Sequence, residues 1–402
     1  MKSFFAVIIA AAVFVSGIYL FGRSNEISAD IPVFNANSTH SITEEIEFAV
    51  TTAEAAAKNE ATASDVGSLG YIVVTEYISA DGKTDVADEI QSIIDSNPNR
   101  TVYFPDGIYL ISKPIFTPAD PRKSVDLQFS NYAVIRAADN FNGEALVRLG
   151  GKDAANDTHT PGSNYSLTGG VLDARGITNG VSIDSGRETV IRNVSIKNAV
   201  IGIDVKYGAN SGSSDADISD VNIIGTGSVD STGIYVEGFD NTFTNIRIGN
   251  VFTGVYLKSS SNSLRNIHPL YYSDYTDYEN SCGFIDEGGN NIYDFCYSDQ
   301  FCIGFRTLNG ISSIFDNCFC FWYTSAGGRE IAFKADGRFN SVVSNFRAGF
   351  RGDTENFVLV AEENGGNGVF ENLLVNKNDV SDSAYKKYME GSFLNLFKRL
   401  FA

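Results

Sequence analysis

Six times between residues 180 and 310 the chain repeats one phrase, a Gly followed by alternating side chains. The copies are Gly180-Val-Ser-Ile, Gly202-Ile-Asp-Val, Gly233-Ile-Tyr-Val, Gly254-Val-Tyr-Leu, Gly283-Phe-Ile-Asp and Gly304-Phe-Arg-Thr. Successive glycines lie 22, 31, 21, 29 and 21 residues apart. Most copies are followed by an Asn and a second alternation, as in Asn193-Val-Ser-Ile, Asn245-Ile-Arg-Ile, Asn266-Ile-His and Asn317-Cys-Phe-Cys. Apolar residues recur at every second position, a period that suits strands and not helices. Short strands repeating at this spacing form a coil that stacks on itself. The expected fold is all-β, a single-stranded right-handed parallel β-helix of about ten rungs.

The asparagines agree with that expectation. Each turn of a stacked coil needs a sharp corner, and Asn tolerates the left-handed backbone found there. Asn193, Asn245, Asn266, Asn317, Asn345 and Asn372 should form a ladder along the axis, with Asp220 taking one place and Phe295 interrupting it.

Composition narrows the partners. The net charge of -19 disfavours nucleic acid, whose phosphates need basic clusters. An acidic surface also repels polyanionic glycans unless a cation such as calcium intervenes. All five cysteines fall between Cys282 and Cys320, which is no spread disulfide framework. Cys296 and Cys318 follow ladder corners, where other rungs carry Val194, Ile246 and Ile267, and so read as small core residues. A disulfide between neighbouring rungs stays open as the alternative in an oxidising compartment.

At the N-terminus, residues 4–21 are an apolar run after Lys2, either a signal peptide or a membrane anchor. Export to the outside of the cell, or anchorage on the outer side of its membrane, follows from either. Residues 23–70 read as a polar, Ala-rich linker with a stalk-like helix. Residues 71–380 read as the β-helix, and 381–402 as an amphipathic helix capping its C-terminal end. The membrane is expected as a partner only through the N-terminal run.

Ser79-Ala-Asp-Gly-Lys-Thr-Asp-Val-Ala-Asp-Glu-Ile-Gln-Ser-Ile-Ile-Asp95 followed by Thr101-Val-Tyr-Phe-Pro-Asp-Gly107 resembles the start of the pectate-lyase-like superfamily. Its members include polysaccharide lyases, family 28 glycoside hydrolases and phage tailspikes. Val86, Ile90, Ile93 and Ile94 give a short helix one apolar face, suited to plugging the mouth of the coil. The resemblance covers about residues 77–380 and implies the fold. The superfamily's catalytic signatures are mostly missing, so the resemblance implies a groove and no catalytic residue. Gly170-Val-Leu-Asp-Ala174 resembles another phrase of these coils, with Asp173 read as structural.

In that superfamily the sheet of Gly-[Ile/Val] strands commonly floors the groove. Alternation points Val181, Ile203, Ile234 and Val255 inward, and Ser182, Asp204, Tyr235, Tyr256, Ile285 and Arg306 outward. A second outward column reads Asp184, Lys206, Glu237, Lys258, Glu287. With rungs ~4.8 Å apart, opposite charges alternate, and Glu237 and Glu287 lie ~9.6 Å apart. This is either a salt-bridge ladder or a catalytic floor. Asp204 and Glu237, diagonal neighbours ~8 Å apart, suit an inverting glycosidase. A lyase would instead need a base such as Lys258 or Arg306, with either a calcium cofactor or an arginine neutralising the sugar carboxylate. Two aromatic loops should wall the floor: Tyr271, Tyr272 and Tyr275 from one, Trp322 and Tyr323 from the other, with Tyr235 and Tyr256 on the floor itself. His268 should point inward or edge-on as a structural residue.

The expected function is an exported protein that cleaves a polysaccharide, by hydrolysis or elimination. A non-catalytic glycan-binding adhesin and a prophage tailspike-like depolymerase are the competing readings. A monomer fits the first, and a trimer the tailspike.

Overall fold

The computed structural model describes residues 70–152, 165–208, 213–271, 277–308, 310–323, 329–350, 357–362, 365–376 and 389–391. The N-terminal run, the linker, Tyr272, Tyr275 and most of 381–402 lie outside these residues.

The strands beginning at the repeated glycines are neighbours in one parallel sheet. Among the described residues it has eleven strands, running in order from Ile115–Pro118 to Met389–Gly391. Asn179–Ile183, Ile201–Val205, Thr232–Val236 and Thr253–Leu257 pair consecutively, with Ile203 beside Ile234 and Ile234 beside Val255. A further 22 strands close the coil as its remaining wall. The fold is the expected right-handed parallel β-helix. The inward residues Val181, Ile203, Ile234 and Val255 are fully buried. In later rungs aromatics replace them, and Phe284 stacks on Phe305 with centroids 4.5 Å apart.

Crowding, and not a special dihedral, explains the repeated glycine. A Cβ at Gly233 would lie 2.5 Å from the Gly254 carbonyl oxygen and 2.5 Å from Ile248 Cγ2. A Cβ at Gly202 or Gly254 meets the next rung's carbonyl at 2.6 and 2.3 Å. The wall strand and the next rung both approach the backbone there, so only hydrogen fits.

The corner ladder forms as expected. Asn193, Asp220, Asn245, Asn266, Asn317, Asn345 and Asn372 all have φ between 51° and 57°. Asn266 Nδ2 donates to Asn245 Oδ1 at 3.0 Å, and Asn372 to Asn345 at 2.7 Å. Phe295 takes the same left-handed backbone at φ 53° and leaves a gap in the ladder. A second ladder, wholly buried, crosses the opposite corner. The backbone N–H of Asn241 donates to Asn262 Oδ1 at 3.1 Å, that of Asn262 to Asn291 Oδ1 at 2.8 Å, and that of Asn291 to Ser313 Oγ at 3.1 Å. Asp286, also buried, accepts from Asn291 at 2.9 Å and Ser313 at 2.6 Å.

Helix α1 (Ala87–Ser96) buries Ile90, Ile93 and Ile94 in the mouth. Its Gln91 makes paired hydrogen bonds to the Phe116 backbone at 2.8 and 3.0 Å, satisfying part of the first floor strand. Asp173 is structural, held by Arg136 at 3.1 Å and Asn198 at 3.0 Å. The five thiols are free and buried. Two expectations are corrected. His268 faces outward and stacks on Tyr297 with centroids 4.1 Å apart, because its neighbours Ile267 and Pro269 take the inward places. Met389–Gly391 is not helical but a strand that extends the floor sheet beside Val360 and Glu362. No helix among the described residues is long and apolar enough to cross a membrane.

Candidate active site

The register aligns the two outward columns as alternation requires. Ser182, Asp204, Tyr235, Tyr256, Ile285, Arg306 and Lys334 are successive partners across the floor. The second column continues just past the strand ends, where the Lys206, Glu237, Lys258 and Glu287 amides each bond back to the preceding rung. Asp204, Tyr235, Tyr256, Glu237, Lys258 and Glu287 therefore lie on four successive rungs of one surface.

Asp204 is the unusual member, an outward-facing carboxylate only 6% exposed. Lys206 approaches it at 3.6 Å and Asn179 Nδ2 at 3.5 Å. Burial raises its pKa above the aspartate value; Lys206 opposes this, and the charges of Asp184 and Glu237 add to it. Simple alternation would pair Lys206 with Glu237, but the two do not bridge. Lys206 turns to Glu144 at 2.8 Å on the preceding side, and burial, which would lower its pKa, is outweighed by Glu144 and Asp204.

Glu237 is more open. Lys258 lies 3.4 Å away, and the Tyr235 hydroxyl donates to it at 3.2 Å. Tyr235 and Tyr256 meet edge-to-face at 5.5 Å, and the Tyr256 hydroxyl donates to Glu287 at 2.5 Å. Burial, followed by the Glu287 hydrogen bond, pushes Tyr256 up to about 12. Arg306 is fixed on Asp336 at 2.5 Å.

The charge ladder is thus real in part: Lys258 joins Glu237, while Lys206 and Glu287 find partners elsewhere.

The aromatic walls need correction. Trp322 is 1% exposed, its Nε1 donating to the Phe301 carbonyl at 2.7 Å and its ring packing on Phe357. Trp322 is the inward residue of its strand and fills the core. Tyr271 is 2% exposed and packs on Tyr278 and Phe301. Neither offers a ring to a ligand. Tyr323 is 56% exposed. The sequence reading missed Glu144 and Arg148, which border the floor and reach Lys206 and Asp184. Arg148 lies on the strand Ala145–Lys152 and Glu144 just precedes it; this strand lacks the leading Gly, although Gly143 is a usable cue. It also missed Tyr207, 54% exposed and edge-on to Phe239 at 5.8 Å, next in sequence to Lys206.

Among the described residues no group of His, Cys, Asp and Glu is arranged to hold a metal ion.

No curated protein matches the chain. Solved structures share its fold at low sequence identity. The tailspike protein of E. coli bacteriophage HK620, in a structure with a pentasaccharide, aligns with TM-score 0.60 at 13% identity over 78% of this chain and 64% of that one. Another structure of the same tailspike, with a hexasaccharide, gives TM-score 0.58 at 13% identity over 82% and 68%. ORF18 of Geobacillus virus E2 gives TM-score 0.50 at 15% identity over 77% and 63%. The chain thus spans under two thirds of two of these relatives. By sequence it matches the family described as rhamnogalacturonase A/epimerase, pectate lyase-like, over residues 72–277, about half its length, and so it belongs to that pectate-lyase-like family.

Proposed function

We propose that the protein is an exported glycoside hydrolase acting on a polysaccharide at the floor sheet, with inversion of configuration. The observation that carries this reading is the difference between two neighbouring carboxylates. Asp204 is buried with a raised pKa, and Glu237, one rung on, is more open and held by Lys258 and Tyr235. A buried carboxyl beside an open, ion-paired one suits the pairing of a general acid with a general base. Strand geometry puts them ~8 Å apart, inside the separation that leaves room for a water molecule.

In this mechanism protonated Asp204 donates to the glycosidic oxygen as the C–O bond breaks. Glu237 takes a proton from a water attacking the anomeric carbon on the opposite face. The Asp204 anion left behind is stabilised by Lys206 and Asn179. Tyr235 and Tyr256 offer apolar ring surface to the sugar beside hydroxyls already bonded to carboxylates.

Elimination is less well served. Tyr235 and Glu237 raise the pKa of Lys258, which disfavours the free amine a base requires. Arg306 is committed to Asp336 and, as a guanidinium, does not deprotonate. The family description names a rhamnogalacturonase and an epimerase, which supports a polysaccharide substrate. The apolar run at residues 4–21 supports export.

The test is turnover of a polysaccharide panel by the wild type, Asp204→Asn and Glu237→Gln, read by reducing ends and by anomeric NMR. Each variant should lose ~10²–10⁴-fold in rate while still binding the glycan. Wild-type rates in both variants, retained configuration, or unsaturated products would refute the assignment. Binding with no turnover by the wild type would leave the adhesin reading.

A further inference from the structure

The floor carries a chain of charges that closes around Asp204. Lys206 lies 3.6 Å from Asp204 and 2.8 Å from Glu144. Glu144 also meets Arg148 at 3.4 Å, and Arg148 meets Asp184 at 2.6 Å. Asp184 in turn accepts from Ser182 at 2.7 Å, and Ser182 is the register partner of Asp204. Two cations therefore serve three carboxylates. The contact to Asp204 is the longest of the four, and Asp204 is the most buried of the three acids. The carboxylate that is least hydrated and farthest from a cation is the one that keeps a proton.

The backbone places Glu144 for this division. Its carbonyl accepts from the Asn179 N–H at 3.0 Å, and the Asn179 side chain approaches Asp204 at 3.5 Å. The hydrogen bond from Lys206, and then its charge, hold the Glu144 carboxyl below the usual glutamate range. Glu144 is thus the carboxylate that stays ionised and keeps the ammonium. The other groups facing Asp204 are Asp184 and Ser182 on the preceding rung, Tyr235 and Glu237 on the following one, and Arg148 two rungs back. Of these only Arg148 is a cation, and it is committed to Asp184 and Glu144.

We infer that Glu144 is a positioning residue for the acid step: it draws the Lys206 ammonium off Asp204 and so keeps a proton there for the glycosidic oxygen. The inference rests on the acid and base roles proposed above for Asp204 and Glu237. Once Asp204 has given up its proton, the same ammonium is close enough to turn back to the new anion. Glu237 then holds the proton taken from water and releases it to solvent, from which Asp204 is reprotonated.

The test titrates Asp204 directly in the full chain, by carboxyl-carbon NMR of protein labelled at aspartate, with Asp204→Asn identifying the signal. Glu144→Gln should move the Asp204 titration to lower pH, because Lys206 is then released to Asp204. Lys206→Met should move it higher, and adding Glu144→Gln to Lys206→Met should change it little. In turnover, the falling alkaline limb of kcat should move with the titration. Glu144→Gln then loses about threefold or more in kcat above the pH optimum and little below it. An Asp204 titration unmoved in Glu144→Gln overturns the inference. So does a full Glu144→Gln shift in the Lys206→Met background, since Glu144 would then act without Lys206. A titration that moves while the kcat limb stays in place removes Glu144 from the acid step. Wild-type rates in Asp204→Asn overturn the acid assignment beneath the inference, and that failure is recognisable because the titration can still move.

Discussion

The Asp204 carboxylate lies 3.6 Å from the Lys206 ammonium, yet burial still holds its pKa above the ordinary aspartate value. Desolvation wins because Lys206 is shared with Glu144, which it approaches more closely, at 2.8 Å. A partner divided between two carboxylates neutralises neither one fully.

This relationship predicts how stability depends on pH. A carboxyl whose folded pKa is raised binds its proton more tightly in the native state. Its contribution to stability is therefore present below the unfolded value near 3.8 and is lost as pH rises through the raised folded value. Asp204→Asn should remove that loss, leaving the variant at least as stable as the wild type at neutral pH and with a flatter profile across that window. Chemical denaturation over a range from about pH 3 to about pH 8 measures it. A wild-type profile in Asp204→Asn would mean that Asp204 does not titrate anomalously.

Gly233→Ala should destabilise the coil by about 1–3 kcal/mol without altering the floor's charges. Its Cβ would meet backbone oxygen and Ile248 at 2.5 Å, so a rung must shift to admit it. Urea unfolding checks this, and an unchanged midpoint would remove crowding as the cause of the glycine repeat.

Trp322→Ala should cost about 3–5 kcal/mol, the range for emptying a large aromatic from a core. The loss of the bond to the Phe301 carbonyl adds to the cavity. Glycan affinity measured below the variant's melting temperature should be unchanged, since the ring faces no ligand surface. Weakened binding by a fully folded variant would return Trp322 to the site.

The thiols should stay unreactive toward a water-soluble disulfide reagent near pH 8 until the coil unfolds. Burial pushes Cys282 and Cys302 up to about 12, so almost no thiolate forms, and all five thiols are buried. Titration with and without denaturant counts them. Reaction of any in the folded protein would show a rung that opens locally.

Asp286 offers a contrast between removing a charge and removing an acceptor. Asp286→Ala leaves Asn291, Ser313 and the Gly288 and Gly289 amides without their shared acceptor, and each donor so left buried and unpaired costs about 1–3 kcal/mol. Asp286→Asn keeps one oxygen for these donors and should cost far less. Equal melting temperatures for the two variants would show that the carboxylate does not organise the buried ladder.

The sequence by itself determined the coil. Period-two alternation after each Gly assigned the inward and outward columns, and Asn at the corners announced left-handed backbone, because both depend only on local stereochemistry. Hence Asp204, Tyr235, Glu237 and Lys258 could be assigned to one surface from spacing alone. Only the tertiary structure decided how deeply each group is buried and which partner it takes. Asp204 is covered although its column faces out, and Lys206 turns to Glu144, 62 residues away in sequence. Trp322 and Tyr271 look like loop aromatics in the sequence but are core residues, since exposure is set by the rungs stacked above and below. The reason the repeat uses Gly lies there too, in the close approach of the next rung's carbonyl, which no single rung contains.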